Sequence, residues 1–292
     1  MHLLLALPAP AKLNLFLRVT GRRADGYHEL QTAYALIDLA DLLDFERRTD
    51  GLIVREGDLT GPVKEDLATR AAHALQKASS TSFGATIGVT KRIPVGSGMG
   101  GGSSDAATTL IALNRLWDLN LPRNALSAIG LPLGADVPFF LHGRDAFAEG
   151  IGERLTSIEL PATWFAIVWP QVHVSTREIF GDAGLTRNSK VTKIADFSAV
   201  AAALANESTG NLDLSPSLVN DLEPIARRRY PTIDQAIQHL RRFGAARMTG
   251  SGSAVFVATQ SKARAEMAVA DVPPGWSAWV VQKLGEHPLA VW

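Results

Sequence analysis

The chain has 292 residues, 29 basic and 29 acidic side chains, and no cysteine. A formal charge of zero argues against a nucleic-acid binder held by phosphate contacts, and the missing cysteines exclude disulfides, thiolate metal sites and a cysteine nucleophile. The length suggests two domains of ordinary size or one large α/β unit, and 46% hydrophobic with 20% charged residues describes a globular chain.

The apolar run Leu3–Leu7 is broken by Pro8 and Pro10 and is too short for a secretory h-region. No stretch approaches the ~20 apolar residues of a membrane span. A cytoplasmic protein without a membrane partner is therefore expected. Lys12 to Val19 alternates apolar and polar residues, which predicts a strand with one buried face. The polar stretch Arg22–His28 reads as a loop, and Asp44–Glu46 and Gly51–Arg55 as weaker strands. Asp66–Lys77 carries Leu67, Ala71, Ala74 and Leu75 on one helical stripe, and Ala85–Lys91 returns to period two. A long helix is predicted over Ser103–Trp117, with Ser103 or Ser104 as N-cap and Asp105 in its first turn. A helix over Asn124–Ile129 leads to the segment Leu133–Phe140. The apolar run Trp164–Trp169 predicts a buried strand, and the text around 176–180 and 194–204 is helical. Asn206–Ser217 reads as a loop, Pro231–Phe243 as a helix, and Ala254–Val257 as a strand after the small residues Gly250–Ser253. The change of texture near Pro161 divides the chain into 1–157 and 158–292.

Between Gly96 and Gly102 there are five glycines in seven positions. Glycine tolerates positive φ and bares the backbone, so amides can converge on one point. A helix starting directly afterwards adds free N–H groups and a positive dipole end, which together make a phosphate site. It is not a P-loop, because no Gly-Lys-Ser/Thr closes it, and the dinucleotide reading fails because no acidic residue ends a second strand about 20 residues on. Asp105 at this helix start would repel a bare triphosphate. Mg²⁺ bridging the two, assisted by the hydroxyl of Ser103 or Ser104, removes that conflict, and Asp105 as a dipole-compensating residue is an equally good reading.

Pro94–Ala107, PVGSGMGGGSSDAA, resembles the second motif of the GHMP kinase superfamily, a group of small-molecule kinases without a P-loop. Pro8–Leu15 resembles the first motif and Met248–Ala254 the glycine-rich third. The strings PAKLNLFL, RADGYHEL, LGADVPFF and AFAEGIGE are closest to one branch of that superfamily. Its members transfer the γ-phosphate of ATP to the 2-hydroxyl of a cytidine-diphosphate-linked methylerythritol in non-mevalonate isoprenoid biosynthesis.

The resemblance implies an α+β fold of two domains, a ribosomal-S5-like one followed by a ferredoxin-like one. It implies ATP as phosphoryl donor with Mg²⁺, a small-molecule substrate, no nucleic acid, and a monomer or weak homodimer. Asp136 is implied as general base and Lys12 as its charged neighbour, with Asn14 helping to hold the substrate. The ATP phosphates are assigned to Pro94, Gly96, Gly98 and Gly100, and to Gly101, Gly102, Ser103, Ser104 and Asp105. Tyr27, His28 and Phe180 are implied at the cytidine end, with Thr176 lining the same cleft and Gly250, Ser251 and Gly252 supporting the substrate's phosphates. A kinase for homoserine, mevalonate or a sugar is the alternative; the loop Arg23–Leu30 and Phe180 speak against it, since those substrates offer no pyrimidine. Asp66 stands where an asparagine near the adenine is common, so it is not assigned to the nucleotide. Arg227–Arg229 and Arg241–Arg242 read as solvated faces, and His73, His142 and His239 lack metal-ligand spacing.

Overall fold

The computed structural model describes residues 2–195 and 219–292. Two strands, β1 (Leu3–Arg22) and β2 (His28–Arg48), form a long antiparallel ribbon. A tight loop joins them, closed by the Arg23 amide donating to the Tyr27 carbonyl at 2.7 Å, with Gly26 at φ 90°. β2 gives one edge to β1 and divides the other. Leu42–Arg48 pair with β4 (Gly84–Thr90), and Thr32–Tyr34 with β5 (Ala146–Glu149). β3 (Ile53–Gly57) and β6 (Arg154–Ser157) complete a six-stranded sheet in the order β3-β4-β2-β5-β6.

Helices α1 (Leu67–Ser79), α2 (Gly101–Leu116), α3 (Arg123–Gly130) and α4 (Val137–His142) cover one face of this sheet. Leu36, Phe45, Leu75, Ile87, Leu110 and Phe139 fill the layer between. Asp66 caps α1 by accepting from the Thr69 amide at 2.8 Å, and its carboxylate also meets Arg55 at 3.3 Å.

The rest of the chain runs β7 (Trp164–Trp169), α5 (Thr176–Gly181), α6 (Glu223–Arg229), α7 (Pro231–Arg241), β8 (Arg247–Met248), β9 (Val255–Thr259), α8 (Lys262–Ala270) and β10 (Ser277–Gln282). The four strands are antiparallel in the order β10-β7-β9-β8, the split βαβ arrangement of a ferredoxin-like unit. Its sheet packs against the bare face of the first through Leu13, Phe16, Ile37, Phe147, Phe165 and Phe256. A third core, with Val168, Ile179, Ile237 and Leu240, lies under the helices beyond. Helices, sheet, sheet and helices are thus stacked in four layers, an α+β architecture. Among the described residues no helix is long and apolar enough to cross a membrane.

Sandwiching one sheet between helices and a second sheet changes what β1 means. The alternation over Lys12–Val19 predicts one solvated face, yet both faces are buried, and Lys12 and Asn14 are each only 3% exposed. A buried ammonium or amide needs partners, so these two polar positions report a built site and not a strand edge. The long helix also starts earlier than its serines suggest. Its N-cap is Gly100 at φ 77°, which puts Ser103 and Ser104 in the first turn and Asp105 in the second. Arg227–Arg229 are not simply solvated. Arg227 meets Asp234 at 2.5 Å and Glu223 at 3.4 Å, while Arg228 and Arg229 hold Asp182 at 2.8 and 2.7 Å. Most of β2, with α4, β5, β6, β8, β10, α6 and α8, carries no expectation from sequence. The helix expected over 194–204 falls almost wholly outside the described residues, as does the loop over 206–217.

Residues 283–292, far beyond the 157/158 division, pack on the first layer. The Leu284 amide donates to the Leu36 carbonyl at 2.9 Å, Lys283 meets Asp145 at 2.8 Å, and Arg123 donates to the Leu289 carbonyl at 2.6 Å. His287 is buried in this return; its Nδ1 accepts from the Leu289 amide at 3.0 Å, and burial, aided by Arg123, pulls its pKa down to about 4. Its ordinary value is 6.5, so the stability it contributes is present above pH 6.5 and is lost as pH falls toward 4. Acidification from pH 7 to 5 is expected to cost about 2 kcal/mol through this group. His287→Asn should flatten that part of the stability–pH curve in denaturant titrations; an unchanged curve would show that His287 is not its source.

Candidate active site

Where the two sheets and α2 meet, the chain leaves two adjoining clefts. The first, about 810 Å³, runs from the β1–β2 loop to the glycine run; the second, about 530 Å³, lies between the glycine run and the start of α1. Gly96, Gly98, Gly100, Ser103 and Thr176 line both, so they form a common wall.

The wall is pinned from three directions. The Lys12 amide donates to the Met99 carbonyl at 3.0 Å, and the Ser253 and Ala254 amides donate to the Gly96 and Ser97 carbonyls at 3.2 and 3.0 Å. Ahead of the run, Asp41 on β2 accepts from the Ile93 amide at 2.8 Å. Gly96, Gly98 and Gly100 all take positive φ, between 70° and 79°. Added carbon has no room here: a Cβ on Gly98 would lie 2.3 Å from the Thr249 carbonyl oxygen, and one on Gly100 would lie 3.0 Å from the Phe140 ring. Gly101, Gly102 and Ser103 follow as the first helical residues, whose N–H groups have no acceptor within α2. Free amides and a helix N-terminus converging in this way suit an anionic group such as a phosphate.

Of the two serines, Ser103 reaches the clefts. Ser104 is fully buried and its hydroxyl donates to the Pro10 carbonyl at 2.7 Å, so it braces β1 against α2. Asp105 is 6% exposed, and its Oδ2 meets Lys91 Nζ at 2.7 Å, while Asp41 flanks the same ammonium. Burial pushes the Asp105 carboxyl up to about 7, against the pull of Lys91. Burial alone would lower Lys91, but the Asp105 and Asp41 carboxylates outweigh it and hold the ammonium above its ordinary value. The repulsion that Asp105 threatened toward a triphosphate is thereby relieved by a lysine that lies before the glycine run. Among the described residues no three His, Asp or Glu side chains stand together as a metal site. The protein offers the Ser103 hydroxyl and Asp105 Oδ1, a buried atom without a hydrogen-bond partner. That sparse set fits Mg²⁺ only when phosphate and water oxygens supply most of its ligands. Pro94 and Asp66 also line the second cleft.

In the first cleft, Asp136 occupies the N-cap position of α4 but makes no capping bond. Its side chain turns instead to β1 and β2. Oδ1 accepts from the Tyr34 hydroxyl at 2.9 Å and Oδ2 lies 3.4 Å from Lys12 Nζ. Lys12 in turn donates to Asn14, whose amide donates to the Thr32 hydroxyl at 2.9 Å, and its ammonium sits 5.4 Å from the centre of the Tyr34 ring. Burial first, then the neighbouring Asp136 charge, raises the Tyr34 phenol well above its ordinary value, so Tyr34 stays a donor. Nothing in the sequence singles out this tyrosine, and no element is expected from sequence where it stands.

At the far end His28 and Phe180 stand with ring centres 5.0 Å apart and planes tilted by 30°. Tyr27 is 60% exposed on the same rim. Thr176 bonds Ser251 at 2.8 Å, and Gly250 and Gly252 complete that side. Asn220 braces this corner by donating to the Met248 and Gly250 carbonyls at 2.9 and 2.7 Å. Three arginines that the motifs do not mark, Arg22, Arg177 and Arg187, line the cleft, so with Lys12 it carries four basic side chains against Asp25 and Asp136. A chain of zero net charge thus presents a locally positive cavity.

Comparison with known proteins gives two family matches, GHMP kinases N terminal domain over residues 66–144 and GHMP kinases C terminal over 199–274. A 4-diphosphocytidyl-2-C-methyl-D-erythritol kinase of Janthinobacterium sp. (strain Marseille) is 51% identical over 289 residues, covering 97% of this chain and 96% of its own. One from Cupriavidus metallidurans is 50% identical, with 97% and 94% covered. The crystal structure of a 4-(cytidine 5'-diphospho)-2C-methyl-D-erythritol kinase superposes with a TM-score of 0.82 at 36% identity, covering 95% of this chain and 98% of that one. A homoserine kinase from Cytophaga hutchinsonii shares the fold, with a TM-score of 0.73 at 15% identity, over 98% of this chain and 96% of its own.

Proposed function

The chain belongs to the GHMP kinases, in the family of 4-diphosphocytidyl-2-C-methyl-D-erythritol kinases, and on that premise we propose that its first cleft takes the cytidyl acceptor and its second takes ATP. The enzyme transfers the γ-phosphate of ATP to the 2-hydroxyl of 4-diphosphocytidyl-2-C-methyl-D-erythritol, giving the 2-phosphate and ADP.

The observation that carries the assignment of roles is Asp136, a carboxylate free of capping duty that lines the first cleft 3.4 Å from Lys12. The acceptor hydroxyl loses its proton to Asp136, which Tyr34 and Lys12 hold from two sides. Lys12 offsets the negative charge that builds as the phosphoryl group moves, and the glycine amides with the start of α2 fix the donor's phosphates. Ser103 and Asp105 would hold a Mg²⁺ bound with the nucleotide, which would neutralise charge on the phosphate oxygens. Asn14 holds the acceptor beside Lys12. The pyrimidine lies among Tyr27, His28 and Phe180, a pocket for which homoserine, mevalonate or a sugar has no aromatic ring to stack. The same reading places the protein in the cytoplasm as a monomer or weak homodimer, without nucleic-acid or membrane partners.

Incubation with Mg-ATP and the cytidyl acceptor should release ADP in step with the acceptor 2-phosphate; no phosphorylated acceptor would refute the reading. Phe180→Ala should raise KM for the acceptor about tenfold with kcat little changed, and an unchanged KM would remove Phe180 from the pocket.

A further inference from the structure

Arg187 lies in the chain that follows α5 and is fixed almost completely. Its terminal nitrogens donate to the carbonyls of Asp182, Phe180 and Leu185 at 2.9, 3.1 and 3.2 Å. Its Nε donates to Nε2 of His28 at 3.2 Å. A guanidinium has five N–H donors and no acceptor. Nε2 of His28 must therefore be the lone-pair nitrogen, and the proton of the neutral ring sits on Nδ1. The doubly protonated ring is opposed three times over: burial lowers its pKa, and the charges of Arg187 and Arg22 lower it further. His28 faces the cleft beside Phe180, so the pocket offers a stacking surface with one ring N–H donor at its edge.

Pyrimidines differ at the position such a donor would meet. N3 of cytosine is a bare acceptor, whereas N3 of uracil carries a proton. We propose that Arg187 is a positioning residue for base specificity, holding His28 in the Nδ1–H form so that the pocket accepts a cytidine and rejects a uridine. This rests on the reading of the first cleft as the cytidyl site. Opposing two donors in a desolvated pocket leaves both without partners, which gives strong discrimination from a single atom. Arg187 does not touch the reacting groups, so its loss should move base preference and KM and spare kcat.

The test compares wild type, Arg187→Met and Arg187→Lys with the cytidyl acceptor and its uridyl counterpart, together with ¹⁵N spectra of the labelled histidines. Wild type is expected to prefer the cytidyl acceptor by at least about a hundredfold in kcat/KM, with the His28 proton on Nδ1. Arg187→Met should reduce that preference at least tenfold, through KM, and its His28 should show both tautomers. Arg187→Lys, which keeps a donor, should recover part of the preference. A wild-type His28 protonated on Nε2, or an unchanged preference in Arg187→Met, overturns the inference. If wild type phosphorylates neither acceptor, it is the functional reading that fails, and the wild-type spectrum still decides the tautomer.

Discussion

Asp136→Asn is expected to lower kcat about a thousandfold, within the range spanned by loss of a general base, while ATP still binds with near-native affinity. The substitution is chosen because it keeps the shape of the side chain and an oxygen for the Tyr34 hydroxyl. It removes the capacity to take a proton, together with the charge that faces Lys12 at 3.4 Å. Nucleotide binding is spared because Asp136 lines the first cleft and not the second. Steady-state ADP release and calorimetric titration with ATP separate the two effects. Turnover within tenfold of wild type would deny Asp136 the role of base. Loss of ATP binding would instead mean that the two clefts are coupled through α4.

Gly98→Ala should have the second large effect, on both stability and donor binding. Alanine at φ 79° is strained in itself, and the added Cβ would lie 2.3 Å from one backbone oxygen and 3.1 Å from another, those of Thr249 and Gly252. Backbone atoms do not rotate aside, so the loop or the third motif has to move. A loss of about 3 kcal/mol is expected, seen as a Tm lower by roughly 5–10 °C, with KM for ATP raised at least tenfold. Gly61→Ala is the control: Gly61 sits on the rim of the second cleft, a Cβ there would meet nothing within 4 Å, and the variant should behave as wild type. A native Tm and KM for Gly98→Ala would mean that the wall yields more readily than its hydrogen bonds imply.

What the sequence discloses and what it hides follow from the range of the interactions. The glycine run, the serine-rich start of α2 and the small residues of the third motif are local text, because a backbone that must approach phosphate needs glycine whatever lies elsewhere. Asp136, Lys12 and Asn14 are marked only by the strings around them. Their pairing joins β1 to α4 across more than a hundred residues, and alternation alone makes Lys12 a solvated charge. Lys91 and Tyr34 escape notice for a related reason. One looks like a strand-end lysine and the other stands in a stretch with no expected element, until the fold brings Asp105 and Asp136 beside them. Arg228 and Arg229 look like a solvated helix face because Asp182, their partner, is 46 and 47 residues away. The short strands β6 and β8 have four and two residues, too few for a period to appear.

The common wall also bears on inhibition. On the proposed assignment the donor and acceptor clefts are neighbours that share Gly98 and Ser103 in their lining. One molecule bearing an adenosine phosphate at one end and a cytidine phosphate at the other would give up its translational freedom once instead of twice. Its affinity should exceed that of either half by orders of magnitude, provided the linker spans that wall without displacing Lys12. Selectivity against other GHMP kinases would come from the cytidine end, where the His28 and Phe180 rings line the cleft together.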